Sequence, residues 1–150
     1  MIDKEYANYE SFLILHGTDT LAYSASALSF ALEGLSRTVI LTGAMLPLKD
    51  MRSDGYRNLI GSLLIAGHYF IPEVMIYFNN TLLRGNRTTK ISASEYYAFD
   101  SPNYKPLGEF TNAFKINWKY VLKPPAESSF KVFVHLRAKI SSIKVTPLLH

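Results

Sequence analysis

The segment Ser11-Phe12-Leu13-Ile14-Leu15-His16-Gly17-Thr18-Asp19-Thr20 carries the strongest structural signal of this chain. Its first five residues form an apolar run without alternation, which is typical of a strand that is buried on both faces. A helical pattern follows directly, with one face formed by Leu21, Ala25, Leu28, Leu32 and Leu35. The stretch therefore predicts a strand, a polar turn and a helix over residues 21–35.

The polar turn at residues 16–20 is a candidate ligand site. Backbone N–H groups are unpaired at a helix start, and the helix dipole favours negative charge there. Open α/β sheets bind ligands at the carboxyl ends of their strands. The alternative is that Asp19 or Thr20 simply caps the helix, which is the commoner role of an isolated Thr-Asp pair. Gly17, which permits a tight exit from the strand, and a second polar block downstream favour the functional interpretation.

That second block is Arg84-Gly85-Asn86-Arg87-Thr88-Thr89-Lys90, which follows a predicted strand and Asn79-Asn80. One interpretation is a solvated basic loop, as most runs of charge are. The other is that Lys90 lies beside Thr18 and Asp19. A lysine that is partly removed from water can serve as a base, and a hydroxyl, a lysine and a carboxylate together can activate a nucleophile or a water.

The order of the elements predicts a doubly wound, three-layer α/β fold, with a parallel-rich sheet, flanking helices and right-handed crossovers. Strands are expected at residues 11–15, 38–42 and 73–78, and a second helix is expected at residues 56–69, with Leu59, Leu63 and Ala66 facing the sheet. Helical signals fade after Ile91. Residues 112–122 and 130–136 are strand-like, and Pro124-Pro125 with Glu127-Ser128-Ser129 is the best candidate for a linker.

Composition favours a globular domain and excludes several classes of protein. The chain has 150 residues, 48% of them hydrophobic, and it has no cysteine for a disulfide or a thiol metal site. Its longest apolar stretch, residues 59–71, is too short to span a membrane. The four histidines lack the spacing of metal ligands. Residues 101–150 carry a net charge of +6, but these lysines are scattered, so we expect no nucleic-acid partner.

Two further groups have a structural and a functional interpretation. Arg52-Ser53-Asp54-Gly55 is more readily explained by helix capping and loop fixing than by catalysis. Tyr96, Tyr97 and Phe99 are expected to pack against the sheet or an interface rather than to line an aromatic pocket.

Several ordered motifs resemble those of the bacterial-type L-asparaginases. Residues 16–20 resemble the second signature motif of that family, and residues 84–90 resemble the loop with its catalytic lysine, in the form of the cytoplasmic type I branch. The other matches are Thr42-Gly43-Ala44-Met45-Leu46-Pro47, Arg52-Ser53-Asp54-Gly55 with Asn58, and Ser101-Pro102-Asn103 with Pro106-Leu107-Gly108. The resemblance covers residues 11–110.

The resemblance implies hydrolysis of L-asparagine to aspartate and ammonia, without a metal or an organic cofactor. It implies a threonine nucleophile and a catalytic triad of Thr18, Asp19 and Lys90, in which Asp19 also holds the substrate's amino group and Thr18 handles the attacking water or the acyl intermediate. Gly17, Thr18, Asp19 and Ala44 are the implied substrate-binding residues. It further implies a cytoplasmic homo-oligomer, dimeric or tetrameric, with neither a nucleic-acid nor a membrane partner.

The sequence also departs from the family. The other triad of these enzymes centres on a Thr-Gly-Gly-Thr motif, and no Gly-Gly pair occurs in this chain. The resemblance therefore implies an N-terminal α/β domain over residues 1–122 that lacks its first strand, a linker over 123–141 and the start of a second domain at 142–150. It also implies that the piece alone is inactive.

Two alternatives stay open beside this prediction. One is a related enzyme, either an ankyrin-containing animal lysophospholipase or an archaeal tRNA amidotransferase subunit. The other is a non-catalytic truncated partner that packs on a full-length subunit.

Overall fold

The computed structural model describes residues 1–125 and 130–133. A six-stranded sheet contains, in spatial order, β1 (Ser11–Leu15), β3 (Thr38–Thr42), β4 (Val74–Phe78), β5 (Thr81–Arg84), β8 (Gly108–Phe110) and β9 (Phe114–Ile116). Two small antiparallel pairs accompany it, β2 (Leu32–Glu33) with β10 (Lys131–Val132), and β6 (Thr89–Lys90) with β7 (Phe99–Asp100). The helices are α1 (Ile2–Glu5), α2 (Thr18–Ala31) and α3 (Gly55–His68).

The parallel half of the sheet confirms the predicted strands and layers. β1, β3 and β4 are parallel, and every residue of β3 and β4 is buried, so their apolar runs have no alternation. Odd and even positions of a strand face opposite sides. Val39 and Ile76 accordingly pack in the core beneath α2, whereas Ile40 and Met75 pack in the core beneath α3.

The other half of the sheet is antiparallel, which the sequence analysis did not predict. Asn79 and Asn80 both adopt positive φ values, 44° and 66°, and form a tight turn between β4 and β5. Asparagine tolerates this left-handed conformation better than most residues. The strand-like stretch at 112–122 contains only β9, and a turn follows it. Of the strand predicted at 130–136, Lys131–Val132 is observed, and residues 134–136 lie outside the described part.

The helices begin and end differently from the prediction. α2 begins at Thr18 rather than at Leu21 and ends at Ala31, because Leu32–Glu33 leave the helix to pair with β10. Leu28 is half-buried and packs against the core on that side.

For α3 the predicted inward face is wrong at Leu63, whereas Leu59 and Ala66 are half-buried and Ala66 packs against the core. Leu63 is 54% exposed, and the buried positions are Gly55, Asn58, Gly61, Ser62 and Ile65. Apart from Ile65, small and polar residues face inward because the helix lies close against the sheet, while Ile60, Leu63 and Leu64 remain exposed.

The predicted domain boundaries fall mostly outside the described residues. Pro124-Pro125 ends the first described range, and residues 126–129 and 134–150 lie beyond what the structure describes. The linker and the start of a second domain therefore stay predictions. Within the described ranges, no helix is both long and apolar enough to cross a bilayer.

Candidate active site

Thr18 and Asp19 form the first turn of α2, directly after β1. Gly17 is the N-cap residue, in an extended conformation with φ −67° and ψ 144°, and no side chain makes a capping hydrogen bond there. The alternative that Asp19 or Thr20 caps the helix is therefore wrong. The N–H groups of the first turn are therefore not occupied by a cap, and the side chains of Thr18 and Asp19 do not act as caps.

Lys90 reaches this turn from a short hairpin. It lies in β6 opposite Phe99 of β7, and the Phe99 ring is buried against Phe78 with ring centroids 4.9 Å apart. From this anchored position Lys90 Nζ donates to Thr18 Oγ1 at 3.0 Å and to Asp19 Oδ1 at 2.7 Å. The two polar blocks of the sequence therefore meet in space, about seventy residues apart in the chain.

Thr18, Asp19 and Lys90 form a cluster whose two charged side chains differ in solvent exposure. The Asp19 side chain is 94% exposed, while that of Lys90 is 19% exposed. The hydrogen bond from Lys90, and then its positive charge, hold the pKa of the Asp19 carboxyl below its usual range. An ion pair this exposed contributes little to stability. Its consequence is geometric, because it fixes an ammonium group between a hydroxyl and a carboxylate.

Ala44 lies in the loop after β3, at the same end of the sheet. β1 and β3 end side by side, with Leu15 opposite Thr42. A side chain at Gly43 would overlap the carbonyl of His16, so glycine permits the close approach of the two strand exits. Gly17 and Ala44 thus lie on neighbouring loops, and their role in substrate binding stays a prediction.

Asp54 holds the loop that contains Ala44. Its carboxylate accepts hydrogen bonds from the N–H groups of Met45 at 2.9 Å and Leu46 at 3.1 Å. The loop-fixing interpretation of residues 52–55 is confirmed. The capping interpretation is wrong for Asp54, which makes no side-chain cap bond to α3, but Ser53 Oγ accepts from the N–H of Gly55, the first residue of the helix, at 3.1 Å.

Asn58 completes this support, a role that the sequence analysis missed. It is fully buried, and its Nδ2 donates to the Gly43 carbonyl and to Asp54 Oδ2, both at 3.0 Å. Its Oδ1 accepts from the N–H of Asn79 at 3.1 Å. The signal in the sequence was an amide side chain on the face of α3 that meets the sheet. A buried amide requires hydrogen-bond partners, so a supporting role could have been expected for it.

A cavity of about 290 Å³ lies beside this loop. His16, Ala44 and Leu48 are among its lining residues, and its walls are mainly apolar. Thr18, Asp19 and Lys90 are not among them, so the lysine cluster lies outside this cavity. Within the described ranges, no group of three or more His, Asp or Glu side chains is placed to hold a metal ion.

Comparison with known families explains why these motifs occur together. The family model described as Asparaginase, N-terminal, matches residues 1–122. The chain belongs to the asparaginase family. It is 45% identical over 146 residues to the L-asparaginase of Dirofilaria immitis. This match covers 97% of this chain and 25% of that protein. It is 44% identical over 146 residues to the 60 kDa lysophospholipase of Mus musculus, covering 97% of this chain and 26% of that protein.

Solved structures of asparaginases have the same fold. L-asparaginase I from Vibrio cholerae O1 biovar eltor matches with a TM-score of 0.80 at 46% identity, over 88% of this chain and 40% of that one. The predicted family and the α/β fold are confirmed. The chain spans about a quarter of the length of the two curated relatives.

The rest of the basic block in this asparaginase domain has a structural role. Arg84 forms an ion pair with the buried carboxylate of Glu73 and donates to the carbonyl of Tyr120 at 2.7 Å. Its guanidinium lies over the ring of Tyr104, 4.3 Å from the centroid. The interpretation of residues 84–90 as a solvated loop is therefore wrong for Arg84 and for Lys90.

The aromatic residues near the site are divided in their roles. Phe99 packs in the core, as expected, whereas Tyr97 is half-exposed. The hydroxyl of Tyr96 donates to the carbonyl of Arg52 at 2.7 Å. This bond links the hairpin of Lys90 to the loop that precedes α3.

Proposed function

We propose that this chain provides the lysine-containing triad of an L-asparaginase, with Thr18, Asp19 and Lys90 as catalytic residues. The observation that carries the proposal is the position of Lys90 Nζ within hydrogen-bond distance of both Thr18 Oγ1 and Asp19 Oδ1. Because a lysine ammonium only donates, the Thr18 oxygen accepts from it. The Thr18 hydroxyl proton is then directed away from Lys90, toward a bound substrate or water.

The proposed reaction is the hydrolysis of a side-chain amide. In the covalent route the threonine oxygen bonds to the amide carbon and gives up its proton, the C–N bond breaks, and the departing nitrogen takes up one proton to leave as ammonia. Water then hydrolyses the threonine ester to the free acid. In the direct route water adds to the amide carbon in place of the threonine oxygen, with the same loss of ammonia. A lysine that releases a proton can accept one from the attacking group through Thr18. We assign the nucleophile to a threonine, as the family resemblance implies.

Substrate binding is proposed for Gly17, Thr18, Asp19 and Ala44. The Asp19 side chain is largely open to solvent beyond its bond to Lys90, which suits it to hold the ammonium group of an amino acid. The free N–H groups at the start of α2 suit a carboxylate or a developing oxyanion. L-Asparagine carries an ammonium, a carboxylate and an amide, and therefore matches these groups.

The test is a chimera of this chain with V. cholerae L-asparaginase I, in which the aligned segment is replaced by the corresponding residues of this chain. Ammonia release from L-asparagine is measured for the chimera and for Thr18→Val, Asp19→Asn and Lys90→Met. We expect each variant to lose about a hundredfold or more in turnover, and double variants to be little worse than single ones. Lys49→Met, an exposed lysine in another loop, is the matched control. A Lys90→Met chimera with near-normal turnover would refute the assignment.

The similarity to a mammalian protein named lysophospholipase supports a second candidate, hydrolysis of a lysophospholipid ester. Release of fatty acid from lysophosphatidylcholine by the same chimera, lost in the same variants, would favour it. L-Glutamine serves as the comparison substrate for amide preference. We further propose a cytoplasmic dimer or tetramer for the complete protein, and no turnover by residues 1–150 alone.

A further inference from the structure

The imidazole of His16 connects the start of α2 to a residue two turns further along the helix. Its Nδ1 lies 2.7 Å from the carbonyl oxygen of Gly17, and its Nε2 lies 2.9 Å from the hydroxyl oxygen of Ser24. Neither of these two hydrogen bonds involves Lys90. The ring therefore bridges the N-cap residue and the body of the helix, immediately beside Thr18.

The partners determine where the ring carries its proton. A backbone carbonyl only accepts hydrogen bonds, so Nδ1 must be the donor to Gly17. In the neutral ring Nε2 then has a lone pair, which accepts from the Ser24 hydroxyl. Both ring nitrogens are thus satisfied by a single tautomer, and Ser24 holds the ring in the orientation that serves Gly17.

The backbone of His16 is fixed from the other side by the sheet. Its N–H donates to the carbonyl of Thr42 at 2.8 Å, which continues the pairing of β1 with β3 by one residue. Its carbonyl lies so close to Gly43 that a larger residue there would overlap it. His16 is therefore held by the sheet through its backbone and by α2 through its ring.

The hydrogen bonds of His16 compensate for the side-chain cap that α2 lacks. Most helices are held at the start by a side-chain cap, whereas Gly17 offers none. A Ser or Asp cap would occupy one of the first-turn N–H groups. The His16 ring instead uses the second lone pair of the N-cap carbonyl, and it leaves the first-turn N–H groups and the side chains of Thr18 and Asp19 uncommitted.

We propose that His16 is a positioning residue, which fixes the first turn of α2 so that Thr18 and Asp19 meet Lys90, with Ser24 setting the orientation of its ring. The catalytic meaning of this role rests on the proposed function. The geometric role does not, because it concerns the placement of the Thr18–Asp19–Lys90 cluster itself.

The experiment measures the pKa of the Asp19 carboxyl by NMR in the whole chain. Because Lys90 lowers that pKa, it reports whether the first turn still meets the lysine. We expect His16→Ala to raise it toward the ordinary value of about 3.9, and Ser24→Ala to raise it part of the way. His16→Asn places an amide N–H near the position of Nδ1 and should restore most of the lowering. Ser26→Ala, at a half-buried serine on the same helix, should leave it unchanged.

Unfolding midpoints of the same variants separate positioning from general stability. A purely structural His16 would lower the midpoint and leave the pKa of Asp19 unchanged in the folded protein, and that result overturns the proposal. If His16→Ala does not fold, Ser24→Ala and His16→Asn decide it in the same way: an Asp19 pKa unmoved by Ser24→Ala overturns it.

Turnover of the chimera distinguishes this proposal from the function on which it rests. Loss of up to about a hundredfold in kcat for His16→Ala, with partial rescue by His16→Asn, is expected when a catalytic turn is displaced. A shifted Asp19 pKa in a chimera whose turnover is indifferent to Thr18, Asp19 and Lys90 would support the positioning role and refute the proposed function. If the pKa of Asp19 did not shift while turnover still depended on Lys90, the proposed function would be supported and the positioning role of His16 would be refuted.

Discussion

Replacing Gly61 by alanine should destabilise this fold, whereas the same replacement at Gly67, on the same helix, should stabilise it. Both glycines lie in α3 with ordinary helical backbone, since Gly34 has the only positive φ among the glycines of the described residues. Alanine is favoured over glycine by about 1 kcal/mol in a helix interior. Any difference between the two positions must therefore come from what an added methyl group meets.

At Gly61 the added methyl group would overlap the ring and hydroxyl of Tyr77. The Tyr77 side chain is buried, and Phe114 packs edge-on against its ring with centroids 6.4 Å apart, so the ring cannot simply swing away. Overpacking of this kind costs about 1 to 3 kcal/mol. After subtraction of the helix-propensity gain, we expect a net loss of up to about 2 kcal/mol.

At Gly67 nothing lies within 4 Å of the added methyl group. The expected gain is about 0.5 to 1 kcal/mol, reduced by its closeness to the helix end. Free energies of unfolding from urea titrations of both variants provide the measurement, with the slope of each titration checked for constancy. If Gly61→Ala were as stable as Gly67→Ala, the close seating of α3 on Tyr77 would be refuted.

Three further outcomes follow from buried polar groups. Asn58→Ala should cost about 2 to 5 kcal/mol in urea titrations, because the Gly43 carbonyl and the Asn79 N–H lose their partner; a cost below that of an ordinary surface change would contradict the network. Glu73→Gln should lower the free energy of unfolding by about 3 to 5 kcal/mol, because it leaves the guanidinium of Arg84 buried without its counter-charge. The double variant Glu73→Gln/Arg84→Met should recover part of this loss, and no recovery would contradict the pairing. Burial raises the pKa of the Tyr77 phenol, opposed by the charge of Arg57. The contribution of the phenol to stability is therefore complete below its unfolded pKa of about 10 and is lost as the pH rises through the folded value. Tyr77→Phe should flatten the fall in unfolding free energy above about pH 10, and an equally steep fall would contradict this.

The parallel strands and the two polar blocks were predictable because their signals are local. An apolar run such as residues 38–42 can only be a fully buried strand or a buried helix, and its length favours the strand. The meeting of Lys90 with Thr18 was expected from the resemblance, and the geometry confirms the contact. The catalytic roles of these residues stay predictions.

The failures have one physical origin, which is that long-range contacts override local patterns. Leu63 lies in a good helical pattern, yet the face of α3 that meets the sheet is chosen by close approach at Gly61 and by the bonds of Asn58. Arg84 belongs to a run of charge, yet it is opposite Met75 across the β4–β5 hairpin, where Glu73 is within reach. Neither partner is visible in a window of sequence around the residue.

The spacing of the second polar block follows from the path that it takes along α2. At Gly85 the chain passes between α2 and β4, and an added Cβ would lie 2.9 Å from the Val74 carbonyl and 3.2 Å from Ala25 Cβ. From Ala25 to Thr18 the helix rises about 10 Å, and the five residues from Gly85 to Lys90 can span up to about 17 Å. A glycine that fits under the middle of α2 and a lysine five residues later therefore bring the ammonium group to the first turn, where the hydroxyl and the carboxylate are already in place.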